Sequence, residues 1–393
     1  MSPEVRTAEP ADLDRIGEII AEALEPEDAD EARLVLGDPG FDPARWLVAV
    51  ADGRVESTVA FFDTDVRVGV AEVPGCQIEF VATADDARGR GLVRAQLHEV
   101  HRRSAAAGHL LQIIVGIPTF YRQFGYGYAI PQPAYQVIET SVALAAGEWQ
   151  VRPATAADLP AITAAQTAVQ AEADVAASHT TQMWRWLIAS PNHEVIVADH
   201  RDQLAMGRIY RDGDTALLGD VVAPSRAALH ALIGHARTLE PTVAVMHRPA
   251  SLLSAMLVGL GETMTEHGWF YVRVPDVAGL LDALRPELAI RLARSPFADH
   301  SGVVTLSTYT GSVRCEIAGG EIGAITPGEP IPYPVSAGGS GVPLDLVGRL
   351  LLGPLGALEM ERLYGDVLLG EQRELMAALF PAVTADIQTW VFP

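Results

Sequence analysis

Lysine is absent from the sequence. All 28 basic side chains are arginine, so no lysine nucleophile, Schiff base or amine base is available. Cysteine is nearly absent too: Cys76 and Cys315 lie far apart with no metal-binding spacing. That excludes a disulfide framework, gives no metal site, and suits a reducing, cytoplasmic setting. No apolar run reaches the roughly 20 residues of a membrane span. The start, MSPEVRTAEPADLDRIGEII, has no basic stretch leading into an apolar core, so no secretory signal is expected. Positive charge is in short supply. Fifty acidic residues against 28 basic ones give a net charge of −22, a poor match for nucleic acid, which rewards clustered positive charge. The same surplus would attract a cationic small substrate, although solubility accounts for it equally well. A 49% apolar fraction over 393 residues provides real cores and predicts two or three domains.

What is present divides the chain. Val5 to Ile16 reads VRTAEPADLDRI and Val151 to Ile162 reads VRPATAADLPAI, with Val, Arg, Ala, Ala, Asp, Leu and Ile in step. Each copy reads as strand, turn and helix, with Asp12 or Asp158 at the helix start. Chance likeness of two Ala-rich helix starts would explain the echo alone. The architecture that follows each copy, a hairpin (at Asp52-Gly53 in the first), then helix, then strand, favours a duplicated α/β domain. From about Asp276 the pattern changes. PDVAGLLDALRPELAIRLARS is helical, with Leu280, Leu281, Leu284 and Leu288 at helical spacing. A meander of short strands and two more helices follow, as in an α+β domain. The expected boundaries are 1–147, 148–285 and 286–393.

One loop in the first copy has no counterpart in the second. After the strand-like CQIEFVA comes Arg88-Gly89-Arg90-Gly91-Leu92, then a helix that Gly108 stops. A strand, a Gly-rich turn and a helix N-terminus can hold a phosphate: successive N–H groups and the helix dipole point at the anion. Arginine adds fork-shaped donors. RGRG alone is a weak signal, lacking both the P-loop ending and the third Rossmann glycine.

With its flanks the signal sharpens. Arg88, Gly89, Arg90, Gly91, Leu92 and Val93 after a strand resemble motif A of the GNAT N-acetyltransferases, which holds the pyrophosphate of acetyl-CoA. Val93 departs from the small residue common there. FYRQFGYG, from Phe120 to Gly127, resembles the stretch where that superfamily carries a catalytic tyrosine. Two such domains followed by a sterol-carrier-like domain resemble the Eis (enhanced intracellular survival) family of aminoglycoside N-acetyltransferases. The resemblance implies tandem GNAT-like domains, each a mixed sheet flanked by helices, then a sterol-carrier-like α+β domain. It also implies acetyl-CoA bound by the first domain only, a small-molecule amine as acceptor, and hexameric assembly. Non-catalytic lipid binding, or acetylation of a protein lysine or polyamine, remain the other readings.

Acetyl transfer needs a neutral amine, oxyanion donors, a base for the amine proton and an acid for the thiolate. By the resemblance, Phe80, Val81 and Ala82 contact the pantetheine arm and Gly116 and Ile117 complete the cofactor site. Tyr121 is the expected acid, with Tyr126 and Tyr128 as competitors. The base is expected to be the terminal carboxylate of Pro393, anchored by Trp390 and Phe392 between the third and first domains. Glu79 is the other candidate. Glu25, Glu27, Asp28, Asp30 and Glu31 could hold a polycation, but a solvated acidic loop fits them as well. His98, His101 and His109 are expected at the surface.

Overall fold

The protein is described by a computed structural model covering residues 3–117, 119–264 and 268–390. Its first sheet contains β1 (Glu4–Thr7), β2 (Trp46–Ala51), β3 (Arg54–Val68), β4 (Ala71–Thr83), β5 (Leu111–Ile114) and β6 (Gly127–Pro131). Helices α1 (Leu13–Ala23) and α2 (Pro26–Leu36) follow β1, and α3 (Leu92–Ala106) links β4 to β5. β4 and β5 pair in parallel, while β1 to β4 run antiparallel. α1 shows why it forms: Ile16, Ile19 and Ile20 fall on one face and are fully buried, an amphipathic helix on a sheet.

The two sequence echoes form the same structure. Arg6 pairs with both carboxylate oxygens of Asp12 at 2.6 and 2.9 Å, and Arg152 with both of Asp158 at 2.8 Å. Each Asp also accepts the backbone N–H three residues before it, at 2.8 Å. The repeated Arg and Asp thus tie a strand to the start of the next helix.

The expected cut at 147/148 does not divide the sheets. The strand Trp269–Arg273 lies between β5 and β6 of the first sheet, and Ala134–Ile138 lies between Thr242–His247 and Gly261–Met264 of the second. The first α/β unit gives the second one strand and receives two, because Val175–Ala177 also pairs with β3. Phe270, Tyr271 and Val272, buried to within 2%, fill the first sheet from a distant part of the chain. No local pattern announces such an exchange, because a buried strand reads the same in either sheet.

The third unit has a four-stranded sheet of 302–307, 312–318, 321–328 and 340–341. The helical run that precedes it is two helices, Val277–Ala283 and Arg285–Ala293, broken where Pro286 starts the second. Leu280, Leu281 and Leu288 join one core with Val313 and Ile317 of this sheet and Val66 and Val73 of the first. The third unit therefore begins before residue 286 and is packed onto the first. Cys76 and Cys315 are free and buried. Among the described residues no helix is long and apolar enough to cross a membrane.

Candidate active site

The site begins where two strands part. β4 pairs with β5 only from Gly75–Leu111 to Ile78–Ile114. Beyond that, β4 bulges against β3 between Thr58 and Ala60, and Phe80 takes φ 53°. The extra residue bends the strand. Glu79 to Thr83 on one side and Val115 to Ile117 on the other then line a cavity of about 970 Å³. Peptide groups that would have continued the ladder are left facing it.

One end of the cavity is the RGRG turn. Gly89 has φ 76° and Gly91 φ 79°, and a Cβ built at either meets nothing within 4 Å. The glycines are needed here for their left-handed backbone, and the space beside them is open. No side chain caps α3, so its first N–H groups are free for an anion. Arg88 lines the cavity and pairs with Asp85 at 2.7 Å. Arg90 does not line it: the turn directs its guanidinium to Asp52 of the β2–β3 hairpin at 2.8 Å. Arg94, one turn into the helix, lines the cavity and donates to Gln123 at 2.6 Å. Phe80, Val81, Ala82, Leu92, Val93, Gly116 and Ile117 all lie on its wall. The open helix end, the arginine and the unpaired strand edges fit a pyrophosphate with an amide-bearing arm.

Of the three tyrosines only Tyr121 reaches the cavity. It sits on the short helix Phe120–Phe124, with its ring edge and hydroxyl against Gly116, where a Cβ would come within 2.9 Å. Burial, and then the nearby Glu79 charge, push its phenol well above the usual range, so it holds its proton. Tyr126 is fully buried and bonded to His101 Nε2 at 3.0 Å and Gln112 at 3.4 Å. Tyr128 accepts the Thr119 N–H at 3.2 Å and packs against Tyr271 with the rings tilted by 37°. His98 is exposed, as expected, but His109 is buried, bonded to Ser104 at 3.1 Å and placed 3.1 Å from Asp63. Among the described residues no cluster of His, Cys, Asp and Glu could hold a metal.

The other end is acidic. The segment EPEDADEAR is α2 rather than a loop: Pro26 starts it, and Glu25 and Asp28 form a capping box. Glu25, Glu27, Asp28 and Glu31 line the cavity, whereas Asp30 turns out to Arg33 at 2.8 Å. Burial raises the carboxyls of Asp28 and Glu31. Glu79 is half-buried on the same wall, and burial, reinforced by Asp28, pushes it up to about 8. The second unit closes this end with Asn192, His193 and Tyr210. Ser190 donates to Glu31, and Asn192 Nδ2 does so at 3.4 Å. Burial and the Arg208 charge hold the His193 imidazolium down to about 2, so its ring is neutral. No local motif marks these second-unit residues; only the fold brings them to the cavity.

Pro393 and Phe392 lie outside the described residues. The chain leading to them is locked as far as Trp390. Gln77 Nε2 donates to the Gln388 carbonyl at 2.7 Å, and Arg208 donates to the carbonyls of Trp390 at 2.5 Å and Thr389 at 3.1 Å. Arg208 is itself held by Asp220 at 2.7 Å. Trp390 is fully buried among Phe62, Phe80 and Trp186. Its channel is therefore between the first and second units, and not between the third and first as the sequence suggests. Phe80, which touches Trp390, also lines the cavity.

Residues 4–129 match the family described as acetyltransferase (GNAT) domain. This part of the chain is a GNAT acetyltransferase domain, and the enzyme that carries it is an N-acetyltransferase. GNAT domains use acetyl-CoA as co-substrate, consistent with the open end of this cavity. No curated protein matches the sequence. Similar solved structures include a GCN5-related N-acetyltransferase from Kribbella flavida, at 17% identity and TM-score 0.71 over 99% of this chain and 100% of that one. One from Anabaena variabilis has 15% identity and TM-score 0.72, over 98% and 99%. Eis1 from Mycobacterium abscessus has 18% identity and TM-score 0.64, over 98% of each. At these identities the likeness is one of fold, and it extends over the whole length of the N-acetyltransferase.

Proposed function

We propose that the enzyme transfers the acetyl group of acetyl-CoA to a primary amine of a polycationic small molecule, as aminoglycoside N-acetyltransferases of the Eis type do. The observation that carries this is a single cavity joining an uncapped helix N-terminus, Tyr121 and an acidic end. The pyrophosphate lies on the RGRG turn, and the strand edges of β4 and β5 bond the pantetheine amides. Tyr121 donates its proton to the departing thiolate sulfur. Glu25, Glu27, Asp28 and Glu31 hold the cationic groups of the acceptor. Asn192, His193 and Tyr210 wall in that end, which favours a small molecule over a lysine on a protein surface. The third unit, sterol-carrier-like by resemblance, serves to present the C-terminal segment.

The base is the terminal carboxylate of Pro393. The tail is fixed at Trp390 beside the cavity wall, and the three residues beyond it span at most about 10 Å. A second reading has one observation in its favour: Glu79 faces the cavity with its carboxyl raised to about 8, a good match for accepting an ammonium proton. A short C-terminal extension separates the two. Turnover with acetyl-CoA and an aminoglycoside, followed by thiol release, should fall sharply in the extended protein while acetyl-CoA affinity holds. Normal turnover in the extended protein, with loss in Glu79→Gln, gives the role to Glu79.

A further inference from the structure

The cleft of the first unit has a counterpart in the second. The strands Thr215–Val222 and Thr242–His247 pair in parallel from Thr215–Thr242 to Leu218–Val245 and then part, as β4 and β5 do. Asp220, at φ 51°, stands where the first unit has Phe80. The following helix, Arg226–Leu239, is not open to a phosphate: the Ser225 side chain caps it by accepting the Ala228 N–H at 3.2 Å. The cleft nevertheless remains, as a cavity of about 530 Å³, within the size range of small-molecule sites. The C-terminal segment Val383–Gln388 forms part of its wall.

Two polar side chains on that wall are buried and unsatisfied. His247 is 6% exposed and Gln388 8%, and neither His247 Nε2 nor Gln388 Oε1 has a hydrogen-bond partner among the described residues. Burial lowers the His247 imidazolium pKa, so the ring is neutral and offers one nitrogen as an acceptor. Gln388 Oε1 is an acceptor only. The charged groups on the wall are Asp220, Asp386 and Glu172 against Arg248, a surplus of negative charge. Asp220 pairs with Arg208 at 2.7 Å and Asp386 with Arg248 at 2.8 Å. Met246, Leu253 and Met256 supply an apolar side. Buried acceptors without donors are costly to keep, and negative surroundings disfavour an anion. We propose that this second cleft is a binding site for a small organic ammonium, its head on His247 and Gln388 and its apolar body against Met246 and Met256.

The test uses the full chain with tryptamine as probe and tryptophol, its uncharged analogue, as control. Calorimetry should show tryptamine binding at least about tenfold tighter than tryptophol. Met256→Trp, which fills the cavity from a half-buried helix position, should abolish that binding. Gln388→Leu keeps the backbone bond to Gln77 and should weaken it about tenfold, with the thermal midpoint of each variant recorded. Any heat that survives Met256→Trp belongs to the first cavity, so the outcome does not depend on acetyl transfer. Equal affinity for tryptophol, or a tryptamine isotherm unchanged in folded Met256→Trp or Gln388→Leu, would overturn the proposal.

Discussion

Tyr121 and Glu79 share a wall of one cavity, and their environments hold their protons differently. Burial holds the proton on the Tyr121 phenol, which is what a donor to a leaving thiolate requires. Tyr121→Phe should reduce turnover by about 10²–10⁴-fold and leave acetyl-CoA affinity unchanged, because the thiolate forms only late in the reaction; steady-state rates with parallel calorimetry check this. Glu79, raised to about 8, is neutral in the folded protein at pH 6, while in the unfolded chain a glutamate ionises near ~4.3. The folded state therefore binds the extra proton, and stability falls as pH rises between these values. Glutamine copies the protonated form. Urea melts of Glu79→Gln and the parent should coincide below about pH 4, with the variant increasingly the more stable from there up to about pH 8. A variant less stable at pH 9 would mean that Glu79 is ionised and compensated in the fold.

At the scale of elements, the open end of the cavity depends on a turn that only glycine makes cheaply. Gly91 is the residue before α3, left-handed at φ 79°. A β-branched residue there pays about 1–2 kcal/mol for the backbone alone and projects its methyls into the open space where the pyrophosphate would lie. Gly91→Val should abolish acetyl-CoA binding by calorimetry while lowering the thermal midpoint by only a few degrees. The second unit shows the alternative outcome: with Ser225 as a helix cap, the same strand–helix junction satisfies itself. The RGRG motif, the tyrosine stretch and the Arg–Asp echo were legible in the sequence because each is local. Arg90 was not, because its side chain follows the turn to a hairpin 38 residues away.

At the scale of the molecule, the exchanged strands make the two α/β units one folding entity. A fragment of residues 1–147 lacks Trp269–Arg273, so β5 and β6 lose the strand that pairs with both. The apolar faces that Phe270 and Val272 cover would also be exposed. Expressed alone, this fragment should be aggregated or molten by near-UV circular dichroism, whereas a 1–275 chain retains all the exchanged partners. A cooperative, monomeric 1–147 fragment would show that the exchanged strand is dispensable.

The sequence by itself determined the duplicated α/β plan, the change of pattern near Asp276, the Gly-rich strand–helix turn and the candidate tyrosine. All of these are set within a few residues by backbone conformation and hydrophobic period. Only the tertiary structure decided which carboxylates face the cavity. EPEDADEAR reads as acidic and exposed, and it is the packing of α2 against the second unit that buries Glu31 and raises its carboxyl. It also decided that Asn192, His193 and Tyr210 share the site with residues more than 60 positions away, and that Trp390 lies between the first and second units. Burial, charge coupling and strand exchange depend on segments distant in sequence, and a sequence pattern carries no record of which distant segment a buried face will meet.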